Sequence, residues 1–244
     1  MQTIKINNLR KEYKDVVAVD GINLEIEEGE LFSLLGVNGA GKTTTIKMLT
    51  TLVKPTSGDA EIFGYSILKD EEKIKELVDI SMQETAIARK LTVSENIEFY
   101  AKLAGQSKEE VIETKKYIYE SFGLDKVKDK TASKLSGGWQ RKLSIALALV
   151  TKPKVLFLDE PTLGLDVLAR RELWATIKKL KAKMTIILTT HYMEEAEALS
   201  DRIGIMKEGS LMFIGTKEEL FNKTNKNSVE EAFIEIVSGG DLNA

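Results

Sequence analysis

The sequence predicts an α/β protein: a mainly parallel sheet covered by helices, an N-terminal antiparallel β subdomain and a helical insert. Three observations carry this. In the last third, short apolar strands alternate with amphipathic helices, and strand–helix–strand order calls for a parallel sheet. The first third alternates with period two, as half-buried strands do. Between them, roughly over residues 85–134, apolar spacing is helical.

Taken in order, Ile22, Leu24 and Ile26 are spaced by two, and a turn follows at Glu28-Gly29-Glu30. Leu31-Phe32-Ser33-Leu34-Leu35 reads as a buried strand closed by Gly36. Residues 42–52 read as a helix, Lys54-Pro55-Thr56-Ser57-Gly58 as a turn and 60–63 as a strand. Thr92-Val93-Ser94-Glu95 is a capping box, in which hydroxyl and carboxylate each satisfy a backbone N–H of the first turn. Val93, Ile97, Tyr100, Ala101 and Ala104 then share a helical face, and Gly105 ends the helix. Ser107-Lys108-Glu109-Glu110 repeats the box for a helix running to Phe122, with Gly123 as its stop. Residues 155–158 and 185–189 read as strands with a helix over 166–181 between them. A helix over 192–199 and a strand over 203–206 follow. The segment 222–227 reads as a polar linker, and Ser228-Val229-Glu230-Glu231 caps a short C-terminal helix. The expected organisation is one domain over 1–225, then a short helix and tail over 226–244. No internal repeat or low-complexity segment interrupts it.

Composition removes whole classes of chemistry. The 244 residues carry 35 Lys+Arg and 38 Asp+Glu, a net charge of −3, so there is no basic footprint for nucleic acid. Cysteine is absent and histidine occurs once. That excludes disulfides, thiolate-held metals, thiol nucleophiles and multi-histidine metal sites. The longest hydrophobic run, residues 145–150, is far short of the roughly 18 residues that span a bilayer. Met1-Gln2-Thr3-Ile4-Lys5 lacks the apolar core of a signal peptide. The expectation is a soluble chain whose membrane role, if it has one, comes through a partner.

Gly36-Val37-Asn38-Gly39-Ala40-Gly41-Lys42-Thr43 matches G-x-x-x-x-G-K-T, and Thr44 continues it. Glycines let backbone N–H groups close around phosphate oxygens, and the following helix aims its positive end at them. Lys42 is placed to reach the β- and γ-phosphates and the Thr43 hydroxyl to ligate Mg²⁺. A buried strand before the loop and a helix after it are the context this motif needs. The fold class is thereby narrowed to a phosphate-loop NTPase core. Val155-Leu156-Phe157-Leu158-Asp159-Glu160 is a second strand, ending in two carboxylates. Strand ends of this kind face the crevice in which α/β sheets bind ligands. There Asp159 would hold Mg²⁺ through its water shell, and Glu160 would orient or deprotonate an attacking water.

Further motifs decide which phosphate-loop protein this is. Leu135-Ser136-Gly137-Gly138-Trp139-Gln140 resembles the signature sequence of the ATP-binding cassette (ABC) ATPases and precedes Asp159 in the order they use. Leu163-Gly164-Leu165-Asp166 resembles their D-loop. His191, after the strand 185–189, resembles their switch histidine. Gln83, after a short strand over 78–80, resembles their Q-loop glutamine, although Met82 stands where the family often has proline. Tyr13 lies where the family has an aromatic that stacks on adenine. Trp139 is a less usual residue after the signature glycines.

The resemblance implies ATP and Mg²⁺ as cofactors. It puts Tyr13, the residues from Gly36 to Thr44 and Gln83 on the nucleotide, Gln83 also on Mg²⁺, and His191 on the γ-phosphate beside Glu160. Ser136-Gly137-Gly138 opens a helix expected to end near Val150, a second anion-binding helix start in one chain. In the family, two cassettes pack head to tail, which would bring Ser136, Gly137, Gly138 and Asp166 to the ATP of the opposing subunit. The implied partners are an integral membrane permease subunit and a second copy or related ATPase subunit, at the cytoplasmic face of the membrane. Pro161-Thr162-Leu163-Gly164-Leu165-Asp166, Thr190-His191-Tyr192-Met193-Glu194-Glu195-Ala196 and Ser228-Val229-Glu230-Glu231-Ala232-Phe233 resemble the drug, polysaccharide and ion exporter branch. A kinase or GTPase is disfavoured by these motifs and by the lack of a guanine-reading N-K-x-D. A chromosome ATPase is disfavoured by the short spacing from Lys42 to Asp159. Cassette proteins of translation usually carry two cassettes in one chain.

Overall fold

The computed structural model describes residues 2–239. Strands β1 (Gln2–Tyr13) and β2 (Val16–Glu27) pair antiparallel, and β3 (Leu31–Leu35) leads through the phosphate loop into helix α1 (Lys42–Leu49). Then come β4 (Ser57–Ile62), β5 (Tyr65–Ser66), α2 (Glu71–Leu77) and β6 (Val78–Ser81). Helices α3 (Val93–Leu103) and α4 (Lys108–Phe122) follow, with two 3-10 turns at Leu124–Val127 and Ala132–Lys134. Next are α5 (Gly137–Leu147), β7 (Val155–Asp159), α6 (Val167–Lys181), β8 (Thr185–Thr190) and α7 (Met193–Leu199). Strands β9 (Arg202–Lys207) and β10 (Ser210–Gly215) and helices α8 (Lys217–Thr224) and α9 (Val229–Ser238) complete the described chain.

The expected α/β architecture is the observed one. A four-stranded antiparallel sheet has the order β2-β1-β4-β5. A six-stranded sheet has the order β10-β9-β3-β8-β7-β6, parallel throughout except for β10. Strands β3, β7 and β8 are buried along their whole length, so they read as apolar runs rather than alternating ones. One core lies between the two sheets around α1, where Ile4, Ile26, Phe32, Ile46 and Phe157 meet. A second joins the other face of the large sheet to α3, α4, α5 and α6. A third holds Phe213, Leu220, Val229 and Phe233 against Leu35, Ile203 and Ile205, so α9 packs on the sheet beside the phosphate loop.

The insert is clasped at its base. Thr92 and Thr131 form an antiparallel bridge, and the Val93 and Ala132 N–H groups donate to Lys130 O and Leu91 O. Both capping boxes form in full, Thr92 with Glu95 and Ser107 with Glu110. Gly123 adopts the left-handed conformation that ends α4.

Several boundaries differ from the sequence reading. Helix α1 stops at Leu49 rather than residue 52: the Thr50 hydroxyl bonds back to Ile46 O at 2.9 Å and Thr51 turns to positive φ. Helix α5 stops at Leu147 rather than near Val150. Tight turns follow to Lys152, and Pro153 excludes further helix. Ala104 is exposed, because α3 ends before it. Strand β4 begins at Ser57, inside the expected turn. The stretch read as a linker from residue 222 is helical up to Thr224. Thr216 and Glu219 form a third capping box there, and Leu220 is buried beneath it. Helix α2 and strand β10 had no assignment. The expected tail beyond residue 239 lies outside the described residues.

Candidate nucleotide site

Four strands of the large sheet, β3, β6, β7 and β8, end on one edge, and each delivers sequence-selected residues there. After β3 comes the phosphate loop, after β6 Gln83, at the end of β7 Asp159 and Glu160, and just past β8 His191. This is the crevice beyond the carboxyl ends of parallel strands. It opens as a cleft of about 750 Å³ lined by Tyr13, Asn38, Gly39, Ala40, Gly41, Lys42, Thr43, Thr44, Gln83, Glu160 and His191. Gly36 and Val37 line a smaller adjoining depression with Asn38, His191, Met193 and Phe233.

The loop's shape depends on its glycines. Gly41 has φ 106°, and a Cβ there would lie 2.4 Å from Ala18 O. The Gly209 N–H donates to Ala40 O at 3.0 Å, so the β9–β10 turn buttresses the loop. No side chain caps α1, which leaves its positive end facing the cleft. Lys42 Nζ donates to Gly36 O at 2.8 Å and Val37 O at 3.1 Å and lies 3.4 Å from Glu160 Oε1.

Asp159 is 1% exposed and sits behind Thr43, whose hydroxyl is 3.0 and 3.1 Å from its two carboxylate oxygens. Thr189 Oγ1 donates to Asp159 Oδ1 at 2.6 Å. Glu160 adopts φ 47°, a left-handed conformation that costs a non-glycine residue strain. Its N–H is held by Thr189 Oγ1 at 3.1 Å and Thr189 O at 3.2 Å. This kink sends consecutive carboxylates in different directions, Asp159 to Thr43 and Glu160 to Lys42 and His191.

The donor set fits a nucleotide with a hard divalent ion. A hydroxyl and a carboxylate stand side by side at Thr43 and Asp159. No group of three or more His, Asp or Glu suited to a metal occurs among the described residues. An ion there would take its remaining oxygens from phosphate and water, as Mg²⁺ habitually does.

Other selected residues lie outside the cleft. Ser136 and Gly137 are exposed at the start of α5, and the Ser136 side chain caps nothing. Asp166 Oδ1 accepts from the Leu168 and Ala169 N–H groups, both at 2.9 Å, which makes it the N-cap of α6. The cleft also holds Leu163 of the D-loop motif and four residues that the sequence reading missed: Val16, Val17, Ala18 and Glu208. Val16 and Val17 are exposed beside Tyr13, and the apolar run Val16-Val17-Ala18-Val19 just after Tyr13 was the only signal the sequence offered. Nothing in the sequence pointed to Thr189, to Glu208, or to buried Arg141.

A phosphate loop at the edge of a parallel sheet, with carboxylates from the neighbouring strand, defines a phosphate-loop nucleotide hydrolase. The particular family follows from comparison. The family model for ABC transporters matches residues 19–163, and the chain belongs to that family. It is an ATP-binding cassette with ATPase chemistry. It is 45% identical over 217 residues to the human phospholipid-transporting ATPase ABCA3, covering 87% of this chain and 13% of that protein. It is 40% identical over 228 residues to the linearmycin resistance ATP-binding protein LnrL of Bacillus subtilis, covering 93% of this chain and 73% of that one. Among solved structures, the ATP-binding subunit of an ABC transporter superposes with TM-score 0.84 at 27% identity, covering 96% of this chain and 99% of the other. A cassette solved as a dimer in a post-hydrolysis state with ADP and Pi matches with TM-score 0.77 at 27% identity, covering 87% and 98%. The chain spans 13–27% of the length of the first curated relatives it matches. No helix among the described residues is long and apolar enough to cross a membrane.

Proposed function

We propose that this chain hydrolyses ATP to drive a membrane exporter. It would act at the cytoplasmic face, docked on an integral membrane permease subunit and paired head to tail with a second cassette, either a copy of itself or a related chain. The observation that carries this reading is the split site. Lys42, Thr43, Glu160 and His191 converge in one cleft with Asp159 just behind Thr43, whereas Ser136 and Gly137 stand exposed at another helix start. A solved dimer of a similar cassette supports the pairing, and the names of the relatives, one a resistance protein and one a phospholipid transporter, support export.

In this reading Tyr13 stacks on adenine with Val16 and Val17 beneath it. Lys42 exchanges its carbonyl partners for the β- and γ-phosphates, and the loop N–H groups and α1 hold the same oxygens. Thr43, Asp159 and Gln83 would hold Mg²⁺, which would supply neutralisation of phosphate charge. Glu160 accepts a proton from the attacking water and His191 steadies the γ-phosphate. The opposing chain's signature and D-loop close the far side.

Expression with candidate polytopic membrane proteins tests the reading. The expected result is co-purification, a several-fold rise in ATP turnover, and crosslinks from the segment 83–91 to the membrane subunit. Purification alone with unchanged turnover, or crosslinks confined to α8 and α9, would overturn it.

A further inference from the structure

Arg141, on the second turn of α5, is 4% exposed, and its guanidinium is spent on main-chain carbonyls. Nε donates to Pro161 O at 2.8 Å, and one terminal nitrogen donates to Asp159 O at 2.9 Å. The other terminal nitrogen donates to Met82 O and, at 3.3 Å, to Gln83 O. Three separate segments are joined through one planar group: the turn that carries Gln83, the carbonyls of the residues on either side of Glu160, and the helix whose start is Ser136-Gly137-Gly138.

Packing alone does not call for this residue. Burial is costly to a guanidinium and pulls Arg141 down to about 10, against the opposing field of Asp159, Glu195 and Glu160. A leucine or methionine would fill the volume without that cost. What only arginine supplies is a rigid fork of five donors able to reach carbonyls in several directions at once. Glu160 needs such support, because its left-handed backbone persists only if both sides are held. Arg141 holds the carbonyls of Asp159 and Pro161, the residues on either side of Glu160.

We propose that Arg141 is a positioning residue that sets Glu160 and Gln83 at a fixed distance from each other. A displacement of the Gln83 segment then moves Glu160 and the start of α5 with it. The proposal rests on the roles given above to Glu160 and Gln83.

The test compares Arg141→Met and Arg141→Lys with the unaltered protein, alone and combined with Gln83→Ala. The readouts are melting temperature, affinity for a fluorescent ATP analogue, kcat and KM. Misplacing a reacting group by about 1 Å is worth up to roughly 100-fold in rate. Arg141→Met should therefore lose about 30-fold or more in kcat while its nucleotide affinity stays within about threefold. Arg141→Lys should restore little of the rate, since one ammonium cannot span the three segments. Adding Gln83→Ala to Arg141→Met should cost little more than Arg141→Met alone. Unchanged kcat in folded Arg141→Met, parallel loss of affinity and rate, or additive effects with Gln83→Ala would each overturn the proposal. If Arg141→Met fails to fold, Arg141→Lys must show the same separation of rate from affinity. If neither folds, Arg141 is a folding residue and the proposal falls. Glu160→Gln assayed alongside keeps the two readings apart: wild-type turnover in that variant removes the role of Glu160. An inactive Glu160→Gln beside a fully active Arg141→Met removes only the role of Arg141.

Discussion

His191 Nδ1 lies 2.6 Å from Glu160 Oε2, while the other oxygen of the same carboxylate lies 3.4 Å from Lys42 Nζ. One side chain therefore joins the residue just past β8 to the phosphate loop after β3. A carboxylate only accepts, so Nδ1 carries the hydrogen of this contact and Nε2 is the unprotonated nitrogen of the neutral ring. Because Glu160 is 7% exposed, both contacts act in a medium that screens them weakly.

His191→Ala removes one of the two contacts that aim Glu160. Nucleotide affinity should change by no more than a few-fold, because Lys42 and the loop are intact. Single-turnover hydrolysis should slow by roughly 100-fold, the lower range for loss of a group that assists proton transfer. Turnover within about twofold of the unaltered protein would mean that Lys42 alone suffices to place Glu160.

Lys42→Ala acts at an earlier step. The variant loses the one cation that the loop folds around, so the Gly36 and Val37 carbonyls and Glu160 lose their shared donor. It should bind ATP more weakly and hydrolyse none at a measurable rate. Calorimetric titration with ATP and a phosphate-release assay together check this, and retained turnover would remove Lys42 from the site.

Much of this site was legible because local sequence rules and global fold coincide there. The phosphate loop is a contiguous pattern bounded by a buried strand and a helix, and each glycine and the lysine has a local reason. Asp159 and Glu160 were found for a similar reason, as acids ending an apolar run. Thr189 and Arg141 were not, because their roles exist only across distance: Thr189 meets Asp159 from the neighbouring strand, and Arg141 gathers carbonyls from segments 58 and 18–20 residues away. Sequence periodicity carries no information about such meetings. Helix α8 was missed differently. Thr216-Lys217-Glu218-Glu219 is a capping box of the kind recognised at Thr92 and Ser107, but only Leu220 is fully buried behind it, so polar composition masked the helix. At α5 the apolar run continued past the real end, and the stop came from Pro153 instead.

Glu195 offers a test through pH. It is fully buried on α7, its Oε1 accepts from Trp174 Nε1 at 3.0 Å, and burial raises its carboxyl above the usual range. A raised carboxyl binds its proton more tightly in the folded than in the unfolded chain. The folded state is therefore favoured while Glu195 is protonated, and stability falls as pH rises from about 4.5 through the raised value. Glu195→Gln keeps an acceptor for Trp174 and cannot ionise. The melting temperature of the variant relative to the unaltered protein should rise with pH across that window and level off above it. A difference that stays flat with pH would show that Glu195 ionises in the fold without penalty.

Ser136 and Lys42 belong to the two halves of the split site. Ser136 and Gly137 are exposed, and the Ser136 hydroxyl caps no N–H of its own helix, so the positive start of α5 is open to an anion from outside the chain. If that anion is the γ-phosphate held by Lys42 of a second copy, ATP is the bond between them, and its hydrolysis releases them. Glu160→Gln retains the side chain's shape but removes its charge and basicity. It should stop hydrolysis while ATP and Mg²⁺ stay bound through Lys42, Thr43 and Asp159. The variant should then accumulate as an ATP-bound dimer, visible by size-exclusion chromatography with light scattering, whereas the unaltered chain should be mainly monomeric. Adding Ser136→Arg should abolish the dimer by filling the opposing phosphate position, and ATP binding to the monomer should persist, because Ser136 lies outside the cleft. A Glu160→Gln protein that stays monomeric at saturating ATP and Mg²⁺ would mean that the isolated cassettes do not share their nucleotide, and that pairing depends on the membrane subunit.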